Sequence, residues 1–240
     1  MRIAAAQCET VAGDIQENSH RHYELIHKAA KQKVDCIVFS ELSLTGYEPK
    51  HAKDLALQPS SSILDSFQQL SDHYSMMISL GAPLQSRDLP FIGMVTFTPN
   101  EKRQWYAKRR LFSGELPFFS AGTSLRCLTW GDEQIGPAIC YESCQPEHVA
   151  EVVQAGATVY MASVAKSATD VKKAIPFYQK VAREQRIVVI MSNCMGPCDD
   201  FVGAGSSAVW DRNGQCVAAL NQEQIGLVGY DTLSRNGFIA

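Results

Sequence analysis

Three polar residues stand where apolar, strand-like runs give way to loops, and between them they hold the parts of an acyl-transfer centre. Cys140 ends the run Gln134-Ile135-Gly136-Pro137-Ala138-Ile139, and a helical pattern follows over Pro146 to Gln154. A thiol at a strand-to-helix turn meets oriented backbone N–H groups, which lower its pKa and can hold an oxyanion. Glu41 lies just past Phe39-Ser40, where a carboxylate enclosed in a low-dielectric pocket gains the raised pKa that suits a general base. Lys108 closes Gln104-Trp105-Tyr106-Ala107, and its ammonium is a compact charge suited to developing negative charge. Read singly, each has a plainer account: a buried inert thiol, a solvated strand-end carboxylate, and a lysine that joins Arg109 and Arg110 in a generic basic patch.

The elements that must position these residues are legible as patterns. Runs rich in β-branched and aromatic residues recur at Arg2 to Gln7, Cys36 to Phe39, Met76 to Leu80, Phe91 to Phe97, Gln134 to Ile139, Thr158 to Met161, Ile187 to Ser192, Ser207 to Trp210, Val217 to Leu220 and Leu227 to Tyr230. Several are continuously apolar, as strands buried on both faces of a sheet are. Helical periodicity covers Ile15 to Lys33, with Leu25, Ile26 and Ala29 on its core face, then Ser62 to His73, Pro146 to Gln154 and Val171 to Gln185. Strands alternating with helices in the outer thirds, with hairpins between, give an α/β layered fold. Turn chemistry is clearest at Pro99-Asn100-Glu101-Lys102 and Asp211-Arg212-Asn213-Gly214. The long irregular stretches are Glu41 to Asp54, Arg109 to Ser124 and Asn193 to Ser206, and loops set on a rigid sheet are where sites are built. With no linker, repeat or charge block in view, the chain reads as one domain over residues 1–240.

Composition narrows the function classes. A formal charge of -3 and a pI near 6.1 leave no cationic excess for a phosphate backbone or an anionic bilayer. Neither nucleic acid nor membrane is an expected partner. No apolar run is long enough to span a bilayer, and Met1 to Cys8 turns polar too early for a signal h-region, so a cytoplasmic location is expected. The eight cysteines are spread through strand-like runs, which favours reduced thiols over a disulfide framework. The pairs Cys140/Cys144 and Cys194/Cys198 have three intervening residues and no histidines interleaved, so no metal site is expected.

Taken together, "SELSLTGY" around Glu41, "YAKRRLF" around Lys108 and "GPAICYES" around Cys140 resemble, in order, the three signature segments of the nitrilase, or carbon-nitrogen hydrolase, superfamily. The likeness runs from the "RIAAAQ" strand through Glu17-Asn18 to "FVGAGSSAVWDRNGQCVAA". It implies a four-layer α-β-β-α sandwich, catalytic roles for Glu41, Lys108 and Cys140, and a fourth member at Glu115 in Gly114 to Gly122. It also carries candidate substrate contacts at Tyr47, Tyr141, Glu142, Ser163 and Val164, and a homo-oligomer, usually a dimer joined through helical faces. No cofactor and no metal is called for.

One departure bears on substrate. Where many relatives have a proline and an aromatic lining the pocket, Gly156 to Ala165 offers small residues, so a roomier or more polar acyl pocket is expected. The chain also ends soon after Leu227 to Tyr230, without the tail through which some relatives extend their oligomer contacts. The resemblance implies hydrolysis of a small linear amide or carbamoyl compound through a cysteine thioester. Nitrile hydrolysis uses the same residues. The likeness of "ELSLTGYEP" to glutamine-dependent NAD synthetase raises a different class, a glutaminase that passes ammonia to a separate synthetase.

Overall fold

A computed structural model describes residues 1–240. The first half of the chain runs β1 (Arg2–Gln7), α1 (Ile15–Lys31), β2 (Cys36–Val38), α2 (Ala52–Leu55), α3 (Asp65–Tyr74), β3 (Met77–Leu84), β4 (Phe91–Phe97) and β5 (Gln104–Ala107). The second half runs β6 (Leu128–Trp130), β7 (Glu133–Ile139), α4 (Pro146–Gln154), β8 (Val159–Val164), α5 (Ala168–Gln185), β9 (Val188–Asn193), β10 (Met195–Cys198), β11 (Phe201–Ala204), β12 (Ala208–Trp210), β13 (Cys216–Ala219), β14 (Gly226–Asp231) and β15 (Asn236–Ile239).

Both faces of the main sheets are covered, which is why their strands read as unbroken apolar runs. One sheet has the order β15-β14-β1-β2-β3-β4-β5, the other β13-β12-β9-β8-β7-β6. Along β1, Ile3 and Ala5 face the second sheet, packing with Val38, Ile139, Met161 and Ile190, while Ala4 and Ala6 lie under Ile26 and Phe67 of the helices α1 and α3. On the opposite flank Val152 of α4 and Tyr178 and Ala182 of α5 cover Tyr160, Ala162 and Val189. The order is therefore helix, sheet, sheet, helix: the α-β-β-α sandwich. Two buried hydroxyls stitch the sheets together, Ser163 Oγ donating to the Phe39 carbonyl (2.8 Å) and Ser192 Oγ to the Ala6 carbonyl (2.6 Å).

Helix boundaries follow local chemistry. The Asp14 carboxylate caps α1 by accepting from the Glu17 N–H (3.0 Å), and Lys28 and Lys31 sit in its last turn, where the helix dipole favours cations. α5 begins at Ala168, three residues before the periodicity suggested, because Ser167 accepts from the Asp170 N–H and caps it. Four strands escaped the sequence pattern. β6 and β15 are short edge strands, and the stretch expected to be irregular over Asn193 to Ser206 holds the hairpin β10–β11, registered from Met195↔Ala204 to Cys198↔Phe201. Gly196, Pro197 and Gly203 mask its alternation, and its two-residue turn is set by Asp199 at φ +43°. The segment after β14 folds back as β15 and extends the first sheet.

Gly81 matters to the site. A Cβ there would lie 2.3 Å from the Leu42 nitrogen and 2.7 Å from the Ser40 carbonyl, so only glycine lets the loop carrying Glu41 pack onto β3.

Candidate active site

Each sheet contains a parallel core, β1-β2-β3 in one and β7-β8-β9 in the other. Ligands in such sheets bind beyond the carboxyl ends of the strands. Glu41 lies three residues past β2, Cys140 directly follows β7, and Ala165 and Lys166 follow β8. Lys108 arrives from β5 and continues its pairing, its N–H donating to the Ile92 carbonyl (2.9 Å). Its carbonyl accepts from the Gly122 N–H (2.8 Å), which fixes the chain where the side chain turns inward.

Lys108 is wholly buried, with Nζ 2.8 Å from Glu41 Oε1 and 2.6 Å from Glu115 Oε1. Glu115 is held in turn by the Tyr47 hydroxyl, which donates to Oε1 (3.0 Å), and by the Phe112 N–H, which donates to Oε2 (2.8 Å). Glu41 Oε2 has no hydrogen-bond partner, although it is buried. The Cys140 thiol also acts on this carboxylate, after the larger influences of Lys108 and Glu115. Its Sγ otherwise lies 3.5 Å from the Ala165 carbonyl.

Burial is the main force on these groups. It lifts the Glu41 carboxyl to about 7 against the pull of Lys108, which is the range a base needs near neutrality. Burial also acts against the Lys108 ammonium, but the facing Glu41, Cys140 and Glu115 more than offset it, and the lysine stays protonated. The Cys140 thiol is pushed up to about 12, by burial first and the Glu41 charge second. It rests as a thiol, and a base must take its proton.

Cys140 sits at φ +45°, an uncommon conformation for a residue with a side chain, at the start of a 3₁₀ turn over Cys140–Cys144. The N–H groups opening such a turn have no partner within it. Glu142 anchors the turn. Its Oε1 accepts from the Ile139 N–H (2.9 Å) and the Tyr106 hydroxyl (2.7 Å), and its Oε2 from the Arg109 (2.7 Å) and Arg110 (3.1 Å) N–H groups. Glu142, an expected substrate contact, thus has its carboxylate occupied in tying the end of β7 to the segment after Lys108, and it does not line the cavity beside Cys140. Ser163 and Val164, expected as substrate contacts as well, do not line that cavity either. Ser163 spends its hydroxyl on the inter-sheet bond to Phe39, and Val164 packs into the core beneath α5.

A cavity of about 700 Å³ opens over Cys140 and Glu115, and Tyr47 and Tyr141 both line it. Phe118 and Phe177 make much of its wall apolar. Its polar surprise is Lys166, which no motif singled out. The signal that could have found it is topological: Ile139 pairs with Ser163 in parallel register, so the residues just past β8 must lie beside Cys140. Burial acts against the Lys166 ammonium, and the coulombic effects of Cys140, Cys144 and Glu41 outweigh it, leaving its pKa above the ordinary lysine value. No group of three or more His, Cys, Asp or Glu side chains is placed to hold a metal ion, and no helix is long and apolar enough to cross a membrane.

Comparison with known proteins places this arrangement. The carbon-nitrogen hydrolase family model matches residues 2–236. Among solved structures the fold is similar to the NitN amidase of Nesterenkonia sp. AN1, with TM-score 0.88 at 22% identity over 96% of this chain and 92% of that one. An (R)-stereoselective amidase of Pseudomonas sp. is 25% identical over 94% of this chain and 82% of its own length. The glutamine-dependent NAD(+) synthetase of Thermotoga maritima is 24% identical over 96% of this chain, which spans only 42% of that relative. With the family model covering nearly every residue, the chain belongs to the carbon-nitrogen hydrolase family.

Proposed function

We propose that this chain, as a single hydrolase domain over residues 1–240, cleaves the C–N bond of a small linear amide or carbamoyl compound through a thioester on Cys140. The observation that carries this reading is the buried cluster in which Lys108 bridges Glu41 and Glu115 while Cys140 opens onto the cavity. Glu41, with a pKa near 7, takes the thiol proton as Sγ bonds to the carbonyl carbon. The carbonyl π electrons move onto oxygen, where Lys108 and the Tyr141 N–H hold the charge. As the C–N bond breaks, the proton on Glu41 passes to the leaving nitrogen, and a thioester remains. Glu41 then deprotonates a water, whose oxygen displaces Sγ, and the thiol regains its proton. Glu115, anchored by Tyr47 and Phe112, keeps Lys108 in place. Support comes from the Nesterenkonia amidase, of which one variant carries the acetamide moiety of fluoroacetamide on its active-site cysteine and another binds butyramide.

A second reading, glutamine hydrolysis with ammonia passed to a separate synthetase, is favoured by the run of glutamine-dependent NAD(+) synthetases among the relatives. Cytoplasmic residence and a homo-oligomer belong to the proposal too. Free thiols at all eight cysteines fit a reducing compartment, including Cys194 and Cys198 with their Sγ atoms 3.3 Å apart.

The test is ammonia or amine release over a panel of amides that includes glutamine, with intact-mass detection of the acyl adduct. Cys140→Ala should abolish turnover and adduct alike, while Cys→Ser changes at the other seven positions should alter stability alone. Equal turnover by wild type and Cys140→Ala refutes the mechanism.

A further inference from the structure

Lys166 is a buried cation that the reaction does not use. The residue is only 8% exposed, yet its ammonium makes no hydrogen bond or ion pair, whereas Lys108 has two carboxylates. Its backbone is clamped: the N–H donates to Asn193 Oδ1 (2.8 Å), and the carbonyl accepts from Asn193 Nδ2 (3.1 Å) and the Ala204 N–H (3.0 Å). The residue before it, Ala165, supplies the carbonyl 3.5 Å from Cys140 Sγ. With its backbone fixed in this way, Lys166 lines the same cavity as the thiol.

Withdrawing a charge from water is costly unless a counter-charge meets it. None of the acids on the cavity wall supplies one. Glu115 is engaged by Lys108 and Asp199 by Lys50 at 2.9 Å, while Asp170 lies exposed in the first turn of α5. Asp200 and Lys173 are exposed, where solvent and salt screen their fields. The inner cavity thus presents one ammonium that no ion pair or hydrogen bond engages.

We propose that Lys166 is an anion-binding subsite and that the substrate is a small amide carrying a carboxylate at the end remote from the scissile C–N bond. This rests on the amide-hydrolysis reading above. The small side chain of Ala165, next to Lys166 on the cavity wall, leaves the lysine open to the acyl chain. The product is a dicarboxylate, and the free carboxylate gives a substrate both affinity and register, setting its amide carbon over Cys140.

The experiment compares glutaramate, the monoamide of glutaric acid, with its neutral counterpart valeramide. Wild type should favour glutaramate in kcat/KM, and Lys166→Met should lower that ratio on the order of 10²-fold, the loss typical when one partner of a buried charge pair is removed. Lys166→Arg should recover part of it. Calorimetric binding of both amides to Cys140→Ala, with and without Lys166→Met, reads the subsite without turnover, so failure of the hydrolysis reading is seen separately. The expected result is tighter binding of glutaramate that disappears with the lysine. Equal binding of the two amides to Cys140→Ala overturns the proposal. A Lys166→Met variant that slows both amides alike overturns it too, by assigning the ammonium to the Cys140 thiolate. Thermal unfolding accompanies each variant, and if Lys166→Met does not fold, the wild-type preference and the Cys140→Ala titrations decide.

Discussion

Replacing Lys108 with arginine keeps a positive charge and tests whether the position needs a point or merely a sign. The side chain is 0% exposed and two of the three donors on Nζ already meet carboxylate oxygens at 2.8 and 2.6 Å, leaving one for the oxyanion and little room for a larger group. A guanidinium is a wider planar fork with its charge spread over three nitrogens. Forcing it into a packed interior costs roughly 1–3 kcal/mol, which in a chain of this size lowers Tm by about 2–12 °C. The larger effect is on rate. Losing one well-placed oxyanion donor costs on the order of 10² to 10³ in kcat, or about 2.7–4 kcal/mol.

Lys108→Ala supplies the contrast, because it leaves Glu41 and Glu115 facing each other without a cation. Breaking a buried pair in this way costs about 3–5 kcal/mol near neutral pH. The sign of its pH dependence follows. Glu41 is already raised to about 7, and losing Lys108, the main influence lowering it, raises the folded value further. Above the unfolded carboxylate pKa of about 4.3 the folded variant must take up protons or keep uncompensated charge, so its deficit is largest at neutral pH. The deficit shrinks as pH falls towards that value. The assay is kcat/KM for both variants on one amide, beside thermal unfolding from pH 5 to 8. Arginine should be nearly as inactive as alanine while being more stable at pH 7. If Lys108→Arg keeps more than about a tenth of wild-type activity, well under a one-donor loss, Lys108 acts only as diffuse positive charge and the reasoning fails.

Three further outcomes test the rest of the site. The acid limb of the kcat/KM profile should fall tenfold per pH unit below about 7, because protonated Glu41 cannot take the thiol proton, and this apparent value belongs to the coupled Glu41, Lys108, Glu115 and Cys140 cluster; Glu41→Gln should bind amide yet form adduct far more slowly, and adduct formation at the wild-type rate would place the base elsewhere. Glu142→Ala strands the N–H groups of Ile139, Arg109 and Arg110 and should cost more than about 3 kcal/mol in chemical unfolding, taking each orphaned buried group at 1–3 kcal/mol; an unchanged unfolding midpoint would show that Glu142 does not anchor the Cys140 turn.

The chain's own pattern determined the material of this protein. Continuous apolar runs of strand length announced sheets covered on both faces, and the helices α1, α3, α4 and α5 lie where periodicity of 3.6 was visible. Glu41, Lys108 and Cys140 were legible because each punctuates an apolar run, and the ordered likeness of their segments to one family added Glu115. Tertiary structure decided which polar groups face the cavity. Alternation along a strand says that neighbours point to opposite faces, but not which face is the second sheet, the helix layer or the site. Ser163, Glu142 and Val164 therefore looked equivalent to Tyr47 and Tyr141 in sequence, and only the inter-sheet bond to Phe39, the ring of donors around Glu142 and the packing under α5 withdrew them. Lys166 is the converse case. It stands in no motif, and becomes visible only when β7 and β8 pair in parallel, bringing the residue after Ala165 beside a cysteine twenty-six positions earlier in the chain. Distant pairings of this kind depend on which strands are neighbours, and a local pattern holds no record of that choice.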